Sequence, residues 1–295
     1  MIVGVKESGF KLLAYLKQKA PSTISVKAIK RAIDKGRCSV NGKIERFSTH
    51  LLVKGDRVEI DLQEDRVLIG VPSILYEDED LLICDKPSGR ISENSFFNTF
   101  FPKYHNQLEL VHRLDKETSG VIILAKNKKM RIAMETLFIK REVSKAYLAI
   151  VDKKVGEPSG TIENFLAKKS SYEGQSQWGS VPRGKGKIAI TRWKVLQVGK
   201  EASLLLLEPL TGRTHQLRVH LSEWGHPILG DVQYGQHFVC SLRPNRQLLH
   251  ACKILFKHPF TQQEISVTAP LPQDFLASSE QLGLEAKTMI YLKNL

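Results

Sequence analysis

Residues 111–127 read VHRLDKETSGVIILAKN. Asp115 stands among basic neighbours, His112, Arg113 and Lys116. A turn-like Thr118-Ser119-Gly120 follows, and then Val121-Ile122-Ile123-Leu124-Ala125, a short continuous apolar run that reads as a buried strand. A carboxylate at the mouth of such a strand has three readings from the residues alone: a turn former, a metal ligand or a catalytic group.

Working outward, the 295 residues are 42% hydrophobic and 25% charged, the make-up of a soluble globular chain with one large and one smaller domain. Lys+Arg number 44 against 31 Asp+Glu, a net charge of +13. Such an excess favours a polyanionic partner, because each cation set on a phosphate releases counterions. Residues 1–62 hold 13 of the Lys/Arg and 6 of the Asp/Glu. About half the net charge therefore lies in the first fifth of the chain, which makes that segment the better docking module. Cys38, Cys84, Cys240 and Cys252 form no Cys-x-x-Cys pair and have no histidine cluster around them. Few scattered cysteines suit a reducing compartment. Lysines interrupt the N-terminus, and no apolar run approaches a membrane span, so a cytoplasmic protein that does not enter membranes is expected.

Residues 1–62 read as a small unit. Phe10, Leu12, Leu13 and Leu16 mark one helix, and Val26, Ile29 and Ile33 a second with Ser25 as N-cap. Asn41-Gly42 is a hairpin turn, and an alternating strand follows Gly55-Asp56. This pattern, Ile33, Gly36, Val40-Asn41-Gly42, Gly55-Asp56 and the strand after them, resembles the S4 RNA-binding domain. The resemblance implies a small α/β domain whose basic helical face, here Lys27, Lys30, Arg31, Lys35 and Arg37, packs on structured RNA. Residues 63–72 read as a linker.

From residue 73 the pattern is α+β. Ile74–Tyr76 and Leu81–Cys84 form a hairpin, which Lys86-Pro87-Ser88-Gly89 ends. Met130, Ala133, Met134, Leu137 and Phe138 repeat at helical spacing over 128–141. Residues 145–151, 188–198 and 202–208 read as strands, and 168–187, rich in Gly, Ser and Lys, as a long exposed loop. A helix follows Thr211-Gly212, with Leu217, Leu221 and Trp224 on one face. Residues 247–257 and 264–268 form a closing hairpin, and 276–295 a tail, partly helical. Strands outnumber helices and few strand–helix–strand crossovers occur, which favours a mainly antiparallel mixed sheet over a doubly wound one.

No G-x-G-x-x-G loop, phosphate loop, G-x-S-x-G elbow or H-E-x-x-H helix is present, and no histidine set supports a metal. What remains are polar clusters beside apolar runs: His112-Arg113-Leu114-Asp115, Lys145-Ala146-Tyr147, Thr211 to His220, and Gly225 to Asp231 with Tyr234-Gly235. Singly, each has an ordinary structural explanation. Together and in this order they resemble the RluA-type pseudouridine synthases over residues 73–275. H-R-L-D-x-x-T-S-G stands here as His112 to Gly120, T-G-R-T-H-Q-L-R-V-H as Thr211 to His220, and Leu249-His250-Ala251 also matches.

The resemblance implies an isomerase that converts uridine to its C-glycoside without a cofactor, acting on structured RNA, most of all ribosomal RNA of the large subunit; a monomer is the default expectation. It implies that Asp115 is the reacting carboxylate, as covalent nucleophile or as base at the sugar. It places Arg218 as the cation keeping that carboxylate ionised against desolvation, and Tyr147 against the target base. Arg113 would fill the space left by a flipped-out nucleotide, and Arg213 and Lys145 would touch phosphate or support the site. Beside this stand a transfer-RNA enzyme of the same family, a non-catalytic RNA-binding or ribosome-assembly factor, and last an unrelated hydrolase using Asp115 with His112 or His215. The aromatic-rich segment 95–110 departs from the family pattern and bears on specificity.

Overall fold

The structure, a computed structural model, describes residues 1–284 except 22–23, 35, 46, 63–69, 173–174 and 236–237. Lys35, the linker residues 63–69 and the tail residues 285–295 thus lie outside the described residues, as do the side chains of Lys27 and Arg31. The chain divides into two compact units, Met1–Ile69 and Gly70–Leu295.

The first unit has helices α1 (Leu12–Lys19) and α2 (Val26–Asp34) and strands β1 (Cys38–Val40), β2 (Lys43–Ile44) and β3 (Val58–Ile60). The strands form an antiparallel sheet with β1 central. Ser25 starts α2 by accepting the Ala28 N–H at 3.2 Å. Asn41 and Gly42 both have positive φ, 53° and 75°, the geometry a two-residue hairpin turn needs. Asp56 secures that turn, taking Asn41 Nδ2 and the Val53 N–H, each at 2.8 Å. Leu12, Tyr15, Leu16, Ile29, Ile33 and Leu52 close the core.

The second unit is built on strands β4 (Ser73–Glu77), β5 (Leu81–Lys86), β6 (Glu109–Leu110), β7 (Ser119–Ala125), β8 (Ser144–Asp152), β9 (Ser159–Tyr172), β10 (Gln175–Val181), β11 (Lys187–Val198), β12 (Ala202–Pro209), β13 (Leu249–Lys257) and β14 (Glu264–Thr268), with helices α3 (Asn94–Phe100), α4 (Lys128–Lys140), α5 (Gln216–Glu223) and α6 (Gln273–Gln281). The strands form one sheet in the order β10-β9-β11-β12-β8-β13-β7-β5-β4, with β14 beside β13 and β6 beside β7. Pairing is antiparallel except at β13–β7, where His250 and Ala251 lie parallel to Ser119 and Gly120. The backbones meet closely there. A Cβ on Gly120, whose φ is +113°, would lie 2.2 Å from the Ala251 carbonyl oxygen, so only glycine fits.

Alternation along the strands gives the sheet two faces. On one, Leu81, Ile83, Val121 and Ile123 pack under α4 through Met130 and Met134, and Leu148 and Ile150 pack with Phe275 of α6. On the other, Leu82, Cys84, Ile122 and Leu124 meet Phe97, Phe101 and Leu108, while Ala149, Val151 and Leu205 meet Leu217 and Leu221 of α5. Tyr147 touches both clusters of this second face. The aromatic segment is thus largely a cover for the sheet beside the Asp115 region. Among the described residues no helix is long and apolar enough to cross a membrane.

Two expectations need correction. Residues 168–187 are mostly not a loop: β9 runs to Tyr172 and β10 returns, pairing Val181 with Phe165. Much of this hairpin is solvated, and Lys168 to Ser171 are all exposed, so the apolar alternation that marks a half-buried strand is missing. Second, the turn before β7 is Asp115 to Thr118, closed by the Thr118 N–H on the Asp115 carbonyl at 3.1 Å. Ser119 and Gly120 already belong to the strand, and Gly120 serves close packing. Residues 276–281 continue α6, and Leu282 and Leu284 after it are buried with Phe275.

Candidate active site

The Asp115 turn is fastened at nearly every residue. His112 Nε2 accepts the Ile123 N–H at 3.0 Å, and the ring lies against Phe138, with centroids 5.0 Å apart. Burial pushes the His112 imidazole down to about 3, so it is a neutral acceptor. Ser92 Oγ both donates to the Leu114 carbonyl and accepts the Leu114 N–H, at 2.8 and 3.1 Å. Lys86 Nζ donates to the Lys116 carbonyl at 3.2 Å and to those of Pro87 and Arg90 at 2.8 Å. Arg246 Nη1 donates to the Glu117 carbonyl at 3.2 Å, and Gln247 Nε2 to Thr118 Oγ1 at 2.7 Å. The backbone around Asp115 thus has its polar groups satisfied by side chains from two distant segments, the preorganisation that a reacting group needs.

Lys86 and Gln247 are residues that sequence reasoning missed. Lys86 is fully buried, and burial pushes its ammonium down to about 7, against the pull of Glu117 and Asp115. Its three carbonyl partners take all three ammonium protons, so the geometry is built for the cation. The only sequence signal was its place at the end of an apolar strand, where a lysine has to find partners.

Helix α5 carries the other half of the site. Gln216 uses its whole amide: Oε1 accepts from Thr211 Oγ1 and the Arg213 N–H at 2.7 and 3.0 Å, and Nε2 donates to the Ile190 carbonyl and Thr191 Oγ1, both at 3.0 Å. His220 bonds Thr191 Oγ1 and Asn164 Oδ1 at 3.0 and 2.9 Å, and burial pushes it down to about 4. These ties hold α5 on β9 and β11 and aim Arg218 at the turn. Arg218 Nη1 lies 3.2 Å from Asp115 Oδ2, the pairing expected from the resemblance. Its Nε and Nη2 form a bidentate bond with Asp231, at 2.7 and 2.9 Å. Nη2 also reaches Gln233 Oε1 at 3.0 Å. Burial alone would disfavour the guanidinium charge, but the Asp231 bonds and the Asp115 charge override it and hold the pKa above its ordinary value.

The two carboxylates on Arg218 differ in access. The Asp231 side chain is 1% exposed and that of Asp115 is 26% exposed. Asp231 also takes the N–H groups of Gln233 and Tyr234. It anchors the arginine, and Asp115 is the one that a ligand can reach. Asp231 ends the Gly225 to Asp231 cluster, but nothing in the spacing of that cluster reveals its partner.

Tyr147 sits on β8 between Leu207 of β12 and Ala251 of β13. Burial, reinforced by the Asp115 charge, raises its phenol well above the usual range, so the hydroxyl keeps its proton. Lys145, two residues earlier on β8, is half-buried and pushed down by burial to about 8. Its Nζ stands beside Gly212. Arg213 is half-buried and its Nε is held by the Ile188 carbonyl at 2.9 Å, whereas Arg113 is exposed next to Asp115. Asp115, Tyr147 and Arg218 are brought together with His215, Tyr234 and Lys86. Lys30 and Arg37 lie, half-buried, in the first unit.

The family model of RNA pseudouridylate synthase matches residues 80–223, which include Asp115, Tyr147 and Arg218. The chain is 35% identical to the Mycoplasma pneumoniae protein called uncharacterized RNA pseudouridine synthase MG209 homolog, over 90% of this chain and 91% of that one. It is 31% identical to ribosomal large subunit pseudouridine synthase D of Blochmanniella floridana, over 94% and 95%. The solved structure of human RNA pseudouridylate synthase domain containing 4 superposes with a TM-score of 0.62 at 28% identity, covering 73% of this chain and 95% of that one. The chain belongs to the RNA pseudouridylate synthase family, and it is an isomerase of that kind.

Proposed function

We propose that this protein converts uridine to pseudouridine in ribosomal RNA of the large subunit, with Asp115 as the reacting carboxylate. The observation that carries the assignment is the 3.2 Å pair between Arg218 and Asp115, made across 103 residues of sequence by an arginine that Asp231 holds from behind. The C1′–N1 bond breaks with its electron pair leaving on the uracil. The base turns, C5 bonds to C1′, the C5 proton is lost and N1 gains one, so atoms and charge balance. Asp115 acts at the sugar, Arg218 keeps it anionic, and Tyr147 lies against the base. Arg113 enters the duplex where the nucleotide has been flipped out, and Lys145 and Arg213 steady the backbone or the site. The relative named for the ribosomal large subunit supports that substrate.

Asp115→Asn keeps the size of the side chain but removes its charge and turns one acceptor oxygen into an NH2 donor. Conversion of unmodified ribosomal RNA should fall by about a thousandfold or more, and full conversion by this variant would refute the assignment.

In this reading the first unit is an S4-like RNA-binding module, with Lys27, Lys30, Arg31, Lys35 and Arg37 as its candidate RNA contacts. The excess of positive charge in residues 1–62 and the two-helix, three-strand frame support it. Removing residues 1–62 should weaken RNA binding and flatten its dependence on salt. Binding that is unchanged at every salt concentration would sink this part.

A further inference from the structure

Asp115 has two oxygens, and they are in different situations. Oδ2 is held by Arg218 at 3.2 Å. Oδ1 faces His215, whose Nε2 is 3.9 Å away, beyond hydrogen-bond length. Oδ1 is therefore the oxygen left free to react, and His215 is the group beside it. The roles assigned above give His215 nothing to do.

Its placement is specific. His215 is the residue before α5, in the left-handed conformation at φ 56° and ψ 19°. A non-glycine residue there costs about 1 kcal/mol or more and persists where surroundings fix it. Tyr234 does so: its hydroxyl lies 2.8 Å from His215 Nδ1, with the rings edge to face at 5.6 Å. The same hydroxyl oxygen accepts the Trp178 N–H of β10 at 3.0 Å, and Arg218 lies over the face of the Tyr234 ring at 4.9 Å.

This pattern assigns the imidazole tautomer. A phenol has one proton to give. With Trp178 donating to the oxygen, the arrangement that leaves no proton idle sends the Tyr234 proton to His215 Nδ1. Nδ1 is then an acceptor, and the ring's own N–H is on Nε2, turned toward Asp115. Burial lowers the His215 pKa and the Arg218 cation adds to this, against the pull of Asp115, which favours the neutral ring.

We propose that His215 is a further catalytic residue, a neutral N–H donor to the O2 carbonyl of the target uracil, and that Tyr234 is a positioning residue that keeps the proton on Nε2. This rests on the reading of Asp115 as the reacting group. A nucleoside whose C1′–N1 bond is presented to Oδ1 brings O2, the carbonyl next to N1, within reach of Nε2. As the bond breaks, the electron pair on N1 spreads onto O2, and a fixed donor there stabilises the departing base more than the bound one. No proton is transferred, so a neutral imidazole is sufficient.

The test is single-turnover conversion by the full-length protein, with the RNA concentration varied to separate rate from affinity. His215→Asn retains an amide near the Tyr234 side but nothing at Nε2, and its maximal rate should drop about 30-fold with little change in half-saturation. His215→Gln, whose amide nitrogen falls near the Nε2 position, should recover to within about threefold of wild type. Tyr234→Phe should cost about fivefold, since the tautomer is no longer imposed. RNA carrying 2-thiouridine at the target tests the contact itself, because sulfur is the poorer acceptor. The His215→Asn defect should shrink several-fold on that RNA and persist on 4-thiouridine RNA. Equal defects on both, or a His215→Asn rate within about twofold of wild type, would overturn the proposal. An active wild type with an inactive Asp115→Asn alongside either result leaves the functional reading standing, whereas an inactive wild type removes both.

Discussion

The Asp115 turn and the β9–β10 hairpin are neighbours of the same helix, α5, and are built on opposite principles. The turn is short, polar and closed: Ser92, Lys86, Arg246 and Gln247 bind its backbone or its threonine from within the fold. The hairpin is long and largely solvated, and the edge of β10 away from β9 is met by three side chains at every second residue. Gln233 Nε2 donates to the Ser176 carbonyl at 3.1 Å, Tyr234 accepts the Trp178 N–H at 3.0 Å, and Glu223 accepts the Ser180 N–H at 2.9 Å. One region is fixed from within the fold, and the other is attached only at an edge. Two of the three edge side chains also touch the site, Gln233 through Arg218 and Tyr234 through His215.

Removing Arg218 would break the comparison most severely. Arg218→Met leaves Asp115 without its cation and Asp231 as a buried carboxylate with no counter-charge. Loss of one partner from a buried pair costs about 3–5 kcal/mol, and conversion should fall by about a thousandfold. Thermal unfolding and single-turnover rates measure the two effects. A variant with wild-type melting and wild-type rate would show that the arginine holds neither region.

Acid should act next, and mainly on the closed region. His220 and His250 are buried and His112 is half-buried, and desolvation pushes His112, His220 and His250 down to about 3, 4 and 4, below the ordinary value near 6.5. Between those values the unfolded chain binds more protons than the folded one. Stability is therefore full above about pH 6.5 and is lost as pH falls toward 4. Melting temperature should decline over that window. His112→Gln, which can still accept the Ile123 N–H but does not titrate, should make the decline shallower. An unchanged slope in that variant would mean that His112 does not stay neutral in the fold.

The same contrast explains what the sequence could tell. Helices α4 and α5 are legible because each buries one face, which leaves a period in the residue pattern, and β7 because burial on both faces leaves a continuous apolar run. The Arg218–Asp115 pair was expected only through the motif resemblance, and the structure adds why it holds: Gln216 and His220 bolt the helix that carries Arg218. Residues 168–187 look like a loop in sequence because Lys168, Lys169, Ser170 and Ser171 all face water, so the strands there are set by backbone pairing and by side chains far away in sequence. Lys86 and Gln247 escaped for a related reason. Their partners are main-chain carbonyls and a threonine hydroxyl, which no side-chain pattern announces.

The smallest effect should come from Glu223, and it decides whether the hairpin is a separate part. Glu223 belongs to α5 but touches neither Asp115 nor Arg218; its carboxylate holds the Ser180 N–H and hydroxyl. Glu223→Ala frees one of the three edge attachments and leaves those at Ser176 and Trp178 in place. Hydrogen exchange should rise at Ser180 and its neighbours on β10 and stay unchanged along β7, because a segment opens locally where its own attachments are weakened. Half-saturation for RNA should rise about threefold, and the maximal rate should stay near wild type. If the rate fell with affinity unchanged, the hairpin would be part of the catalytic frame, since its position would then reach Asp115 through Tyr234 and Gln233 even without a change in binding.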